Sequence, residues 1–168
     1  MSLNGWDQGL DYEKTRKKLE RLYKNTIGKE KVYIATLLIQ LTNGLRVREA
    51  WRSLQHFLRT REREFTLVPG KKGNPRPVRI PNIIKYHEEW KWILQVPPAK
   101  ARKRLYYYTR KHLHTNTHSL RYALVGYLAK KGVAPQIIAK ITGHKKLDRI
   151  LQYTQMIRAE EILSQLTK

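Results

Sequence analysis

The sequence predicts a mainly α-helical protein with one small antiparallel β-sheet or hairpin. Three observations lead there. Apolar residues recur at helical spacing in most segments, Gly and Pro punctuate those segments, and one stretch alternates with the period of a strand. In order, a charged helix is expected from Asp11 to Lys24 and a strongly apolar one from Glu30 to Leu41, ending at Asn43-Gly44. A third amphipathic helix spans Val47 to Arg61, with Ala50, Leu54 and Leu58 four apart. Glu64 to Val68 alternates as a strand, Pro69 to Asn74 is turn material, and Pro77 to Pro81 returns as an edge strand, giving a hairpin or a three-stranded sheet. Helices are then expected from Asn82 to Leu94 and from Lys100 to His112, broken by Pro97-Pro98, and from Thr117 to Lys131, stopped by Gly132. Pro135 suits a first helical turn and Gly143 the C-cap of that helix. Two short helices, Leu147 to Met156 and Ala159 to Leu166, complete the chain.

Charge narrows the partner. Among 168 residues, 35 are Lys or Arg and 13 Asp or Glu, a net charge of +22. Such a surplus favours a polyanion, because Lys and Arg release the counterions condensed on a phosphate backbone. A basic solubilising or ribosome-type surface is the plainer reading of the same charge. Hydrophobic residues make up 40% of the chain, enough for a packed core. With no cysteine there are no disulfides, thiolate metal sites or cysteine nucleophiles. The longest apolar stretch, Val32 to Leu41, holds Thr36 and Gln40 and is too short to span a bilayer. No secretory signal opens the chain, so an intracellular location with no membrane partner is expected. Residues 1–29 form a polar linker or helical extension, and 30–168 one domain.

Three short motifs carry groups able to hold and attack a phosphodiester. In HSLR, His118 and Arg121 lie three apart and share a helical face, separate from the apolar stripe of Leu120, Leu124, Tyr127 and Leu128. In GHKKLDRILQY, Lys146, Arg149 and Tyr153 follow a three-then-four spacing beside the stripe of Leu147, Ile150, Leu151 and Ile157. A phenol has a pKa of about 10 and attacks only once its oxygen is deprotonated or stabilised by cations. In GLRVRE, Arg46 follows the Gly44 turn and offers the planar fork that suits phosphate. Glu49 either orients that fork or pairs with Arg48 or Arg52. The hairpin tip GKKGNPR presents Lys71 and Lys72, with Asn74 and Arg76 beside them, as backbone contacts or as a proton donor to a leaving oxygen. Taken singly, each group has an ordinary structural reading: a helix-start histidine, a solvated arginine, a tyrosine at the core's edge.

Their order and spacing resemble the catalytic domain of the tyrosine recombinases, the phage-integrase family. His144 follows Arg121 by 23 positions and Tyr153 follows His144 by 9, separations usual in that family. The resemblance covers about residues 30 to 160. It implies that Arg46 and Arg121 clamp the scissile phosphate, with Glu49 behind the first. Tyr153 would attack phosphorus to form a 3′-phosphotyrosyl bond, a hairpin lysine (Lys72 fitting better than Lys71) would protonate the 5′-oxygen, His118 would accept a proton or bind phosphate, and His144 would donate a hydrogen bond. It also implies double-stranded DNA as partner, with Lys71, Asn74, Arg76, Lys146 and Arg149 as further contacts. A homotetramer on DNA, a monomer or weak oligomer when free, no metal, no ATP or other cofactor, and a gene borne by a virus or plasmid follow from the same resemblance.

The chain departs from the pattern at Tyr122, where relatives often carry histidine. Residues 1–29 are too few for the usual N-terminal core-binding domain, so a catalytic fragment or minimal enzyme is expected. Two other functions stand beside this one: a type IB topoisomerase, which shares the active-site set but rejoins the same strand, and a non-catalytic basic nucleic-acid-binding module. A metal site from His112, His114 and His118 lacks a nearby carboxylate or thiolate and is disfavoured. Trp90, Trp92 and Tyr106 to Tyr108 are expected to pack rather than stack on bases.

Overall fold

The computed structural model describes residues 10–69 and 74–168, and at position 153 the backbone alone. Seven α-helices are described: α1 (Tyr12–Asn25), α2 (Gly28–Asn43), α3 (Val47–Thr60), α4 (Pro98–Leu113), α5 (Thr117–Lys130), α6 (Pro135–Thr142) and α7 (Asp148–Leu166). Two strands, β1 (Glu64–Leu67) and β2 (Arg76–Arg79), pair antiparallel with Glu64 opposite Arg79 and Leu67 opposite Arg76. The sheet has two strands among the described residues, which decides between the hairpin and the three-stranded alternative. No described helix is long and apolar enough to cross a membrane.

The middle of the fold is α2. Its sequence is apolar on nearly every side, which suits a helix surrounded by protein rather than one lying on a surface. It packs against α1, α3, α4 and α5, and Val32, Ile34, Leu37, Leu38, Ile39 and Leu41 are wholly buried. Leu19 and Tyr23 bring α1 into the same core. The aromatics pack as expected: Tyr33 stacks on Trp51 at 5.6 Å and on Tyr108 at 5.3 Å, with Trp92 edge-on at 6.3 Å. Trp51 Nε1 donates to the Val96 carbonyl at 2.8 Å, so the indole buries its ring without stranding its donor. Tyr107 is the exposed member of its run. A second, smaller cluster of Val125, Ala129, Ile138, Ala139, Ile150 and Ile157 joins α5, α6 and α7.

Two elements differ from the sequence expectation. The segment 82–94 is not an α-helix: a 3-10 stretch, Glu88–Gln95, replaces its second half. Backbone groups ahead of it find tertiary partners instead. The Arg63 guanidinium donates to the carbonyls of Pro81 (3.2 Å) and Ile84, and the Lys85 N–H donates to the Tyr23 hydroxyl. The C-terminal pair of helices is one continuous helix, α7, because no Gly or Pro interrupts residues 148–166 and the Arg158–Glu161 pair (3.2 Å) bridges the expected break.

Candidate active site

Gly44 is where the site begins. It ends α2 in the left-handed region (φ 66°), and a Cβ there would sit 2.8 Å from Thr142 Cγ2 and 3.0 Å from Leu124 Cδ2. Glycine is needed for the turn and for the close approach of α5 and α6. The turn puts Arg46 at the N-cap of α3 and Glu49 at its third residue, whose Oε1 accepts the Arg46 N–H at 3.0 Å. Gln40 Nε2, buried on α2, donates to the Thr117 carbonyl at 3.0 Å and fixes the start of α5. There Asn116 Oδ1 caps the helix by accepting the Ser119 N–H at 3.0 Å. His118 then lies exposed at the helix mouth, and Arg121 lies one turn deeper.

Glu49 gathers three guanidiniums. Its Oε1 lies 2.5 Å from Arg76 Nη2, 3.7 Å from Arg46 Nη1 and 3.8 Å from Arg121 Nη1. The sequence alternatives, Arg48 and Arg52, are not the partners it takes. One buried carboxylate against three cations, two of them buried and Arg46 partly exposed, leaves an excess of positive charge. Arg121 is 2% exposed, and burial with the nearby charges of Arg46 and Arg76 lowers its pKa to about 9. Arg121 Nη1 and the Nε and Nη1 of Arg76 have no hydrogen-bond partner among the described residues. Buried donors without partners are costly, so an anion entering here would offset both deficits.

His144 adjoins the cluster. Arg121 Nη2 lies 3.2 Å from both ring nitrogens, and Thr142 Oγ1 lies 2.6 Å from Nδ1. The Thr142 hydroxyl proton is already given to the Ile138 carbonyl (2.9 Å), so Nδ1–H donates to Thr142 and the Nε2 lone pair faces Arg121. A neutral ring is what the surroundings require: burial and the charges of Arg121, Arg46 and Arg76 pull its pKa down to about 3. Burial, then Arg121 and Arg46, also lower the pKa of His118.

Arg46, His118, Arg121 and His144 line one cavity of about 630 Å³ together with Tyr122, Lys145, Lys146, Asp148, Arg149 and Gln152. Lys146 and Arg149 stand exposed at its edge, as their spacing predicts. Position 153 lies on α7 one turn beyond Arg149, while its side chain, like Lys71 and Lys72, falls outside the described residues. A second cavity of about 650 Å³ shares Arg46 and His118 with the first and is bounded by Arg48, Arg52, Arg102 and Tyr106 among others. Sequence reasoning missed Lys145 and Gln152, which border the first cavity, and Arg52 and Arg102, which border the second. The adjacent lysine pair and the run KARKR were the available signals.

Arg76 corrects the sequence expectation. It is 1% exposed and points inward to Glu49, away from the surface where a DNA contact was expected. The β-strand alternation decides this: Arg76 and Val78 face inward while Pro77 and Arg79 face out. Asn74 is exposed, and its backbone N–H donates to the Gly143 carbonyl at 3.2 Å, tying the hairpin to the GH turn. Among the described residues no three His, Cys, Asp or Glu side chains group as a metal site, and His112 instead bonds Glu30 at 2.8 Å.

A mainly helical domain with a guanidinium-lined, anion-seeking cleft is the class that fold and site define. Relatives make the class specific. The chain is 44% identical over 165 residues to "Putative integrase ORF241" of Acidianus two-tailed virus, an alignment spanning 96% of this chain and 68% of that protein. It is 32% identical to "Uncharacterized protein MJ0770" of Methanocaldococcus jannaschii, over 94% of this chain and 87% of that protein. It is 28% identical to "Putative integrase V10" of Sputnik virophage, over 94% and 88%. No protein-family model and no solved structure matches the chain. The chain belongs to the integrase family represented by ORF241.

Proposed function

We propose that this protein is the catalytic domain of a tyrosine recombinase, residues 30–168 with α1 packed on it, which cleaves and rejoins double-stranded DNA. The observation that carries the reading is the convergence of Arg46, His118, Arg121 and His144 on one cavity, with the surplus of buried positive charge behind it. The integrase names of its viral relatives and the net charge of +22 support DNA as the partner.

In this reading a phosphodiester enters the cleft and its non-bridging oxygens take hydrogen bonds from Arg46 and Arg121. Arg121 Nη1, with no hydrogen-bond partner among the described residues, needs no hydrogen bond broken to donate. The Tyr153 oxygen attacks phosphorus in line and the O5′ of the next nucleotide leaves. A 3′-phosphotyrosyl bond forms as the P–O5′ bond breaks, and the leaving oxygen takes a proton from a hairpin lysine, Lys72. The reverse attack by the 5′-hydroxyl of another strand completes exchange. His118, held largely unprotonated, accepts the phenolic proton. His144 faces Arg121 in the free protein and turns toward the phosphate once the anion takes over that guanidinium. Phosphoryl transfer needs positioning and charge stabilisation above all, and the arginine cluster supplies charge at fixed positions. The bond energy is kept in the phosphotyrosine, so no ATP is consumed. On DNA the protein assembles as a tetramer; the exposed Ile162, Leu163 and Leu166 at the end of α7 support an apolar contact between copies.

Incubation with a nicked suicide duplex, followed by mass spectrometry, tests the reading. A nucleotide-bearing Tyr153 is expected, and Tyr153→Phe should abolish the adduct while DNA affinity is kept. Joining to a second duplex marks a recombinase, whereas relaxation of supercoils without such joining marks a type IB topoisomerase. DNA binding with no adduct in the unaltered protein would leave only a basic binding module.

A further inference from the structure

Arg76 is the most completely buried charged side chain among the described residues, and phosphoryl transfer as proposed leaves it without a role. Its side chain leaves β2, passes against the Cα of Gly143 and ends on Glu49 Oε1. A Cβ at Gly143 would lie 2.0 Å from Arg76 Nη1 and 2.9 Å from both Cδ and Cζ, so that position must be glycine while the guanidinium occupies its slot. The Gly143 φ of 75° makes the same demand from the backbone. Asn74 N–H to Gly143 O joins the same two segments a second time.

Three separately folded pieces thus meet on one side chain: the hairpin, the GH turn and the start of α3. Each holds part of the site. Glu49 sets Arg46 and faces Arg121, and His144 follows Gly143 directly and faces Arg121 from the other side. Among the described residues the Arg76 side chain makes a single ion pair and no other hydrogen bond, which is a poor return for burying a guanidinium if stability were its only use.

We propose that Arg76 is a positioning residue for phosphoryl transfer: threaded past Gly143 onto Glu49, it sets the relative placement of Arg46, Arg121 and His144 without touching DNA. The proposal rests on the reading of the cleft as a recombinase site. It makes the glycine of the GH pair a slot for a guanidinium as well as a helix cap. Because this threaded guanidinium, a bolt across the three segments, acts on geometry, its loss slows the chemical step more than it weakens binding.

The test compares Arg76→Gln, Arg76→Lys, Gly143→Ala and the double variant Arg76→Gln/Gly143→Ala on the suicide duplex. Single-turnover adduct formation at saturating protein should slow on the order of 100-fold in Arg76→Gln, as a misplacement of about 1 Å does elsewhere. The salt slope of DNA binding should stay unchanged, whereas losing a phosphate contact lowers it by about 1. Arg76→Lys should recover part of the rate. Gly143→Ala, which adds backbone strain at φ 75° to the lost contact, should slow the reaction at least as much as Arg76→Gln, and the double variant should be no slower than Gly143→Ala alone, since both changes remove one coupled contact. An unchanged rate, a reduced salt slope or additive defects would overturn the proposal. Should the unaltered protein form no adduct, the recombinase reading fails, and the bolt is judged by NMR of the free protein. His144 ring resonances moving alike in Arg76→Gln and Gly143→Ala uphold it as a positioning device; unmoved resonances overturn it.

Discussion

The half built on α2 and the half built from α6 and α7 are held by different amounts of core. Around α2, leucines and isoleucines are wholly buried and an aromatic group locks α3 and α4 in place. Among the described residues the C-terminal part rests on a cluster of six buried hydrophobic side chains, and its last helix ends with Ile162, Leu163 and Leu166 exposed. Helix α5 spans both, giving Leu120 and Ala123 to the large cluster and Val125 and Ala129 to the small one. The site lies along that seam. Arg46 and Glu49 come from the well-packed side, Arg121 from the shared helix, and His144 and position 153 from the lightly packed side. A buried cluster of like charges needs a rigid frame to hold it together. The helix proposed to carry the nucleophile would need less, because in that proposal it meets phosphorus and then lets a new strand approach. Sparse packing is where local opening is cheapest.

Substitutions can break that contrast, the largest effect coming from the α2 side. Trp51→Ala removes a fully buried indole and should destabilise the protein by about 4 kcal/mol, read by chemical denaturation, with both halves lost together. Ile150→Ala should cost about 2–3 kcal/mol. Its hydrogen-exchange protection should fall in α6 and α7 while α2 and α3 keep theirs. Equal loss of protection in both halves would mean that the two clusters unfold as one unit, contrary to the comparison.

Acid gives the smallest and most local test. His144 has a folded pKa of about 3 and an unfolded value of about 6.5, so between those limits the unfolded chain binds the extra proton. Stability is therefore present above pH 6.5 and lost as the pH falls toward 3, with His118 acting in the same direction. From pH 7 to 5.5 the His144 contribution should be about 1 kcal/mol. Thermal melts across that range should show a shallower pH slope in His144→Gln than in the unaltered protein. Identical slopes would mean that the ring does not sit neutral against Arg121.

Much of the fold was legible in the sequence because helix punctuation is local chemistry. Gly44 and Gly143 sit at C-caps with positive φ, and Pro135 at a helix start, as their backbone preferences dictate, whereas Pro98, expected only as a break before Lys100, itself opens α4. The 82–94 segment was misjudged because its apolar spacing suits a helix, while Arg63 and Tyr23, distant in sequence, satisfy its backbone groups better. The break expected near residue 157 was a gap in pattern, not a chemical stop.

For the candidate site, the resemblance of motif order and spacing to the tyrosine recombinases singled out Arg46, Glu49, His118, Arg121, His144 and position 153. It did so because a phosphate-holding set needs particular side chains, and those can be counted along a chain. Folding decided their electrical state. Arg121 and His144 have lowered pKa values because burial and neighbouring guanidiniums act through space, which no linear spacing reports. Folding also turned Arg76 from an apparent surface contact into the buried partner of Glu49. Sequence alternation says that Arg76 and Val78 share one face of the strand, but only the packing of that strand against α6 and the Gly143 turn says which face is inside.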